Sequence, residues 1–137
     1  MTAMPIRTII EKQNGLIRTT ATGHVTGADL LDYYKRLRAH PDFKHNLNEI
    51  FDATQVETID LKADDVRRLS AFTEEYTSLG VPVKVAIVAT GDLEFGLSRM
   101  YEMLQVRSIN VLKVFRERAL AERWINETPV DGPDAGQ

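Results

Sequence analysis

The stretch IRTIIEKQNGLIRTTATGHVTGAD, running from Ile6 to Asp29, holds two periods in succession, and the change between them decides the fold. Residues 6–12 and 16–25 are rich in β-branched side chains and are joined by Gln13-Asn14-Gly15. Asn-Gly between two such runs is the strongest short signal for a β-hairpin. Along the second run Ile17, Thr19, Ala21, Gly23 and Val25 alternate with Leu16, Arg18, Thr20, Thr22 and His24. One face is thus mostly apolar or small and the other mostly polar, as in a strand covered on one side. Then Thr26-Gly27-Ala28-Asp29 sets an acid three residues after a hydroxyl, the form of a capping box. Leu30, Leu31, Tyr34 and Leu37 follow at helical spacing.

The same alternation of strand and helix continues to the end. His40-Pro41 closes the first helix, because a residue before proline avoids the helical region. Residues 47–53 read as a short strand, and Val66, Leu69, Phe72, Tyr76 and Leu79 form an amphipathic stripe stopped by Gly80. Residues 83–89 are apolar except for Lys84, which predicts a strand covered on both faces. Asp92 is placed to cap a third helix lined by Leu93, Leu97, Met100 and Leu104. Residues 109–115 make a fifth strand, and 119–125 a last helix packing through Leu120, Ala121, Trp124 and Ile125. The expected order is β-β-α-β-α-β-α-β-α: an α/β domain with a mixed five-stranded sheet, its first pair antiparallel and the strands joined by crossover helices parallel. Residues 1–127 make one domain, and 128–137, broken by Pro129, Gly132, Pro133 and Gly136, a flexible tail.

At 137 residues the chain is long enough for one sizeable core. Seventeen basic and twenty acidic residues give a charge of -3 with no basic block, which argues against a nucleic-acid surface built on phosphate contacts. The absence of cysteine removes disulfides, thiolate metal sites and thiol nucleophiles, and suits a reducing compartment. The start has no signal-peptide pattern, and the longest apolar run, 85–89, is far short of a membrane span, so the expected location is cytoplasmic.

This order resembles the STAS domain, the fold of the anti-sigma-factor antagonist SpoIIAA, and more closely the SpoIIAA-like family of small bacterial proteins. The resemblance covers residues 6–125. It rests on Gly23-His24-Val25-Thr26, Ile50-Phe51-Asp52, Ala86-Ile87-Val88, the run from Phe95 through Met100 to Tyr101, Val114-Phe115, and Ala121 to Ile125. These are packing and turn signals, and none is a catalytic motif. In sigma-factor antagonists of this fold a serine directly after an aspartate, at the start of the second helix, is phosphorylated. The matching Asp60-Leu61-Lys62 keeps the aspartate but has leucine in place of the serine, and leucine cannot accept phosphate. The resemblance therefore implies an interaction or regulatory module without that switch, working through a protein partner or a homodimer. Thr58 is out of register to replace the serine and reads as a cap.

Ligands in open α/β sheets bind beyond the carboxyl ends of the strands. By that rule His24, Asp52, Thr90, Gly91, Asp92 and Arg116 form a polar neighbourhood. His24, Asp52 and Asp92 have the donor types for a divalent cation. Yet a capping role suffices for Asp92 and a turn role for Asp52, so no metal and no cofactor is expected. Asp52, Thr90 and Lys113 also follow the pattern of a phospho-receiver domain, but His24-Val25 stand where the magnesium-holding acid pair belongs. There is no Gly-x-Ser-x-Gly elbow, Ser98 falls within a helix, and no glycine-rich phosphate loop exists. The arginines at 36, 38, 67 and 68 read as solvated helix faces.

The third helix is the remaining candidate. Phe95, Met100, Tyr101 and Met103 combine aromatic rings with flexible thioethers, a mix that lines adaptable pockets or partner grooves. Phe95 and Tyr101 fall off the stripe through Leu93, Leu97, Met100 and Leu104, which places one of them at a dimer contact or a pocket mouth. Three functions follow: a non-catalytic interaction module; a carrier or sensor of a small apolar ligand held between the third helix and the sheet; and a small enzyme using His24 and Asp52. The first is the leading expectation.

Overall fold

A computed structural model describes residues 5–77, 82–104 and 111–127, apart from the side chains of 73–77, 103 and 104. Its elements are β1 (Ile6–Glu11), β2 (Leu16–Thr26), α1 (Gly27–Ala39), β3 (Asn48–Asp60), α2 (Ala63–Thr77), β4 (Lys84–Val88), α3 (Asp92–Leu104), β5 (Val111–Phe115) and α4 (Arg118–Ile125). This is the expected order. The tail at 128–137, the C-terminal stop at Gly80, Leu79, Ile109 and the side chain of Tyr76 lie outside what is described.

The β1–β2 hairpin turns through a 3₁₀ turn, Lys12–Asn14, and closes on Gly15, whose φ of 60° lies in the left-handed region. Glycine enters that region without the steric cost other residues bear. β1 runs antiparallel to β2, and β2, β3, β4 and β5 are mutually parallel. In space the strands stand in sequence order, β1-β2-β3-β4-β5. Parallel crossovers share one hand. When they also advance in one direction, every crossover helix lands on the same side. Accordingly α1, α2 and α3 cover one face of the sheet, and only α4, which follows the last strand, covers the other.

Each face has its own core. Under the three helices lie Ile17, Ala21, Val25, Tyr33, Leu37, Phe51, Leu69 and Ile87. Under α4 lie Leu16, Ile50, Ala86, Val88, Ala121, Trp124 and Ile125. A fully buried aliphatic side chain such as Ile50 or Val66 contributes about 1.5–3 kcal/mol. Polar contacts fix the seating of α4. Arg18 Nη1 donates to Glu122 Oε2 at 2.6 Å, Arg118 is paired with Asp52, and Lys84 Nζ donates to the Trp124 carbonyl at 2.8 Å. The one charged residue in the apolar run thus satisfies the last turn of a helix. Burial lowers the pKa of that lysine.

Helix α1 starts as its sequence predicts. Thr26 Oγ1 accepts from Asp29 N at 3.1 Å and Asp29 Oδ2 accepts from Thr26 N at 3.0 Å, completing the capping box. Its first residue, Gly27, lies against the Asp65 side chain of α2, which leaves no room for a Cβ.

Three expectations need correction. First, β3 does not stop at Ala53 but continues to Asp60. The register against β2 slips twice, between Thr20 and Thr22 and between Gly23 and His24. Each slip inserts an extra β3 residue, so Phe51, Ala53, Val56 and Ile59 reach the same cavity at spacings of two, three and three. A strict two-residue alternation cannot detect such a strand. Thr58 consequently belongs to β3 and is not a helix cap. Second, Asp92 does not cap α3. It is the first helical residue, with Gly91 before it, and Phe95 N donates to the Gly91 carbonyl at 2.8 Å. Third, Leu93 does not face the sheet and is 59% exposed. The inward face of α3 carries Glu94, Leu97, Ser98 and Tyr101 instead, one position further round the helix.

Candidate functional site

The strand-end neighbourhood separates into three parts. Beyond Ala21 and Asp52, where β1 and β4 end their pairing, β2 and β3 run on together as a two-stranded ribbon. His24 lies out on this ribbon, opposite Thr58, and its Nδ1 is 2.6 Å from Thr58 Oγ1. Six residues along β3 separate Thr58 from Asp52, on the order of 20 Å at ~3.3 Å per residue. The imidazole and the carboxylate therefore do not meet.

Asp52 is buried beneath α4. Its Oδ1 accepts from Thr54 N at 2.9 Å and from Thr54 Oγ1 at 2.6 Å, and its Oδ2 is paired with the Arg118 guanidinium. Burial pushes this carboxyl up, but the Thr54 hydrogen bonds and Arg118 outweigh it and hold it below its ordinary value. The third part centres on Arg116. Its Nη1 donates to the Thr90 carbonyl and to Asp92 Oδ1, both at 3.3 Å, and its guanidinium sits 4.1 Å over the Phe95 ring. Lys113, the receiver-like lysine, turns toward Trp124, with Nζ 5.2 Å from the ring centroid. Among the described residues no three histidine or carboxylate groups gather at a spacing that could hold a metal ion.

On the other face, between α2, α3 and the sheet, lies an apolar cavity of about 80 Å³. Phe51, Ala53, Val56 and Ile59 wall it on the β3 side, Leu61 and Leu69 on the α2 side, and Leu97 and Tyr101 from α3. Leu61, which follows Asp60 at the end of β3, is turned inward as part of this wall. Glu94 is the only charged side chain among the described residues that line it. Of the third-helix candidates, Tyr101 lines the cavity. Phe95 does not, since it stands about 100° round α3 from Glu94 and packs under Arg116, and Met100 is partly buried but outside the lining. The Met103 side chain lies outside the described set.

Next to this cavity is a buried network that the sequence reading passed over. Tyr33 Oη donates to Glu49 Oε2 at 2.8 Å and lies 2.6 Å from Thr19 Oγ1, which is 3.3 Å from Thr8 Oγ1. Glu49 is buried with Tyr33 as its one hydrogen-bonding partner among the described residues, and burial raises its pKa to about 7, against a lowering pull from Tyr33. Burial beside Glu49 also drives the Tyr33 phenol well above its usual range. The Tyr33 ring packs on Tyr34 and Phe51, with centroids at 4.8 and 5.6 Å, and both of those line the cavity. The available signal was Glu49 itself, a carboxylate two residues from Phe51 on the apolar face of a strand.

The fold is that of a small α/β domain with a mixed five-stranded sheet, three helices on one face and one on the other. A solved structure bears this out. The chain is similar to an uncharacterized protein from the DUF3478 family with a SpoIIAA-like fold, from Shewanella loihica PV-4, with a TM-score of 0.57 and 20% identity over 91% of this chain and 97% of that one. The fold is SpoIIAA-like. No protein-family model and no curated protein sequence matches the chain. No helix among the described residues is long and apolar enough to cross a membrane.

Proposed function

We propose that this protein is a non-catalytic regulatory module that holds a small apolar ligand between α3 and the sheet. The cavity carries the reading: β3 bends through two bulges to wall it, and α3 turns Leu97 and Tyr101 into it. An apolar cavity of about 150 Å³ accepts benzene. On that scale about 80 Å³ suits a chain of roughly three or four carbons. A non-catalytic role is supported by the separation of His24 from Asp52 and by the engagement of Asp52 with Arg118 and Thr54. Leu61 gives the module no acceptor for the antagonists' phosphate switch, so the ligand takes the place of phosphate as the regulating event.

The test is a titration with 1-butanol followed by backbone amide chemical shifts. Saturable shifts at Ala53, Val56, Leu97 and Tyr101 are expected, and Ala53→Leu, which fills the cavity, should weaken them at least about fivefold. Shifts that never saturate, or that spare these amides, overturn the reading. A protein partner or a second copy is the other reading, favoured by Leu93, a large apolar side chain 59% exposed on α3.

A further inference from the structure

Resting on the apolar-ligand reading, we propose that Glu94 makes the cavity selective for ligands with a cationic or hydrogen-bond-donating head, a primary amine before an alcohol, and against carboxylates of the same chain length. Glu94, Leu97, Ser98 and Tyr101 lie at i, i+3, i+4 and i+7 and so share one face of α3. That face lines the cavity. Three of the four carry polar atoms, whereas the wall contributed by β3 (Phe51, Ala53, Val56 and Ile59) is apolar. A ligand held here meets hydrocarbon on the sheet side and a carboxylate on the helix side. An amphipathic molecule satisfies both.

Two observations single out Glu94. It forms no hydrogen bond and no ion pair among the described residues, whereas other acids on this face of the sheet, Asp29, Glu49 and Asp65, are each engaged. Its side chain also folds back over Gly91, filling the space that a Cβ at residue 91 would take. An acid at this position of a helix ordinarily reaches back to the N–H of the residue before the helix. Here it leans the same way without making that bond, so a capping role leaves the carboxylate's acceptor capacity unused. A partly buried carboxylate repels a second carboxylate and favours an ammonium, and it accepts a hydrogen bond from a hydroxyl. Ser98, one turn along, can accept or donate and does not reverse the preference.

The experiment compares n-butylamine, 1-butanol and butyrate by amide shift titration of the full chain at pH 7. For the wild type the amine is expected to bind at least about tenfold more tightly than the acid, with the alcohol between them. Glu94→Gln keeps the side chain's shape and its reach toward residue 91. It should cut the amine-to-acid ratio at least about tenfold while moving butanol by less than about threefold. Asp92→Asn removes a charge from the same helix end but not from the cavity, and it should leave the ratio unchanged. If butanol saturates but the three heads bind alike, or if Asp92→Asn acts as strongly as Glu94→Gln, the inference fails and the apolar-ligand reading stands. If butanol gives no saturable shifts either, both fail together.

Discussion

Glu49 is a carboxyl with Tyr33 as its hydrogen-bond donor and, among the described residues, no countercharge. Its proton is held more tightly in the folded chain than in the unfolded one, because burial raises the folded pKa from 4.5 to about 7. The stability it contributes is therefore full below pH 4.5 and is lost as the pH rises to about 7. That interval corresponds to about 3 kcal/mol as an upper figure. Glu49→Gln keeps an acceptor for Tyr33 and removes the titration. Urea unfolding at pH 5 and pH 8 should show the wild type losing more stability than the variant by about 2–3 kcal/mol. Parallel pH profiles for the two proteins would remove Glu49 as the cause. Leu61 is the counterexample among single residues, because its identity alone, read in the sequence, excludes phosphate at that position. The role of Glu49 needed the third dimension: nothing in Asn48-Glu49-Ile50 says that Tyr33 will arrive from α1.

At the scale of elements, the strands and helices were legible wherever their periods are clean. The Asn14-Gly15 hairpin, the Thr26–Asp29 capping box and the buried β4 follow from turn chemistry and apolar spacing. The far half of β3 was not legible, because two bulges replace a two-residue spacing by three. α3 was placed correctly in the chain but rotated by one position. Leu93 and Glu94 compete for the inward face, and a hydrophobicity stripe awards it to leucine. In the folded chain Glu94 takes it, and Leu93 faces out. Gly23 tests the account of the ribbon. It sits in β2 between the two register slips with φ 70°, a conformation costing about 1–2 kcal/mol for a residue with a Cβ. A Cβ there would meet no neighbouring atom within 4 Å, so Gly23→Ala isolates backbone strain from crowding. A urea midpoint lowered by the equivalent of about 1–2 kcal/mol with unchanged slope is expected. An unaltered midpoint would mean that the ribbon accepts another backbone path.

For the whole molecule, the sequence supported the fold class and the element order far better than the site. Each crossover obeys a local rule, and the rules agree. His24 does not reach Asp52, because the crevice that would gather them belongs to sheets whose strand order reverses partway, where crossovers leave on both faces. A sheet in sequence order has no such reversal. Its opening lies under the helices, where α2 and α3 bridge the bulged ribbon, and residues as far apart as Phe51 and Tyr101 meet there.

That same strand order governs how the chain can assemble in time. No strand is inserted between two earlier ones, so each arriving strand docks on a neighbour already made, and each step closes one short crossover loop. A polypeptide leaving the ribosome N-terminus first can extend its sheet strand by strand, with only the growing edge open to solvent. The β2–β3 ladder is the longest of the four pairings, and all of its residues precede β4 and β5 in the chain. In refolding, pulse-labelled hydrogen exchange should find the amides of Ile50 and Phe51 protected no later than those of Leu112 and Val114. Earlier protection at β5 would mean that the sheet nucleates at its last-made edge and grows against the direction of synthesis.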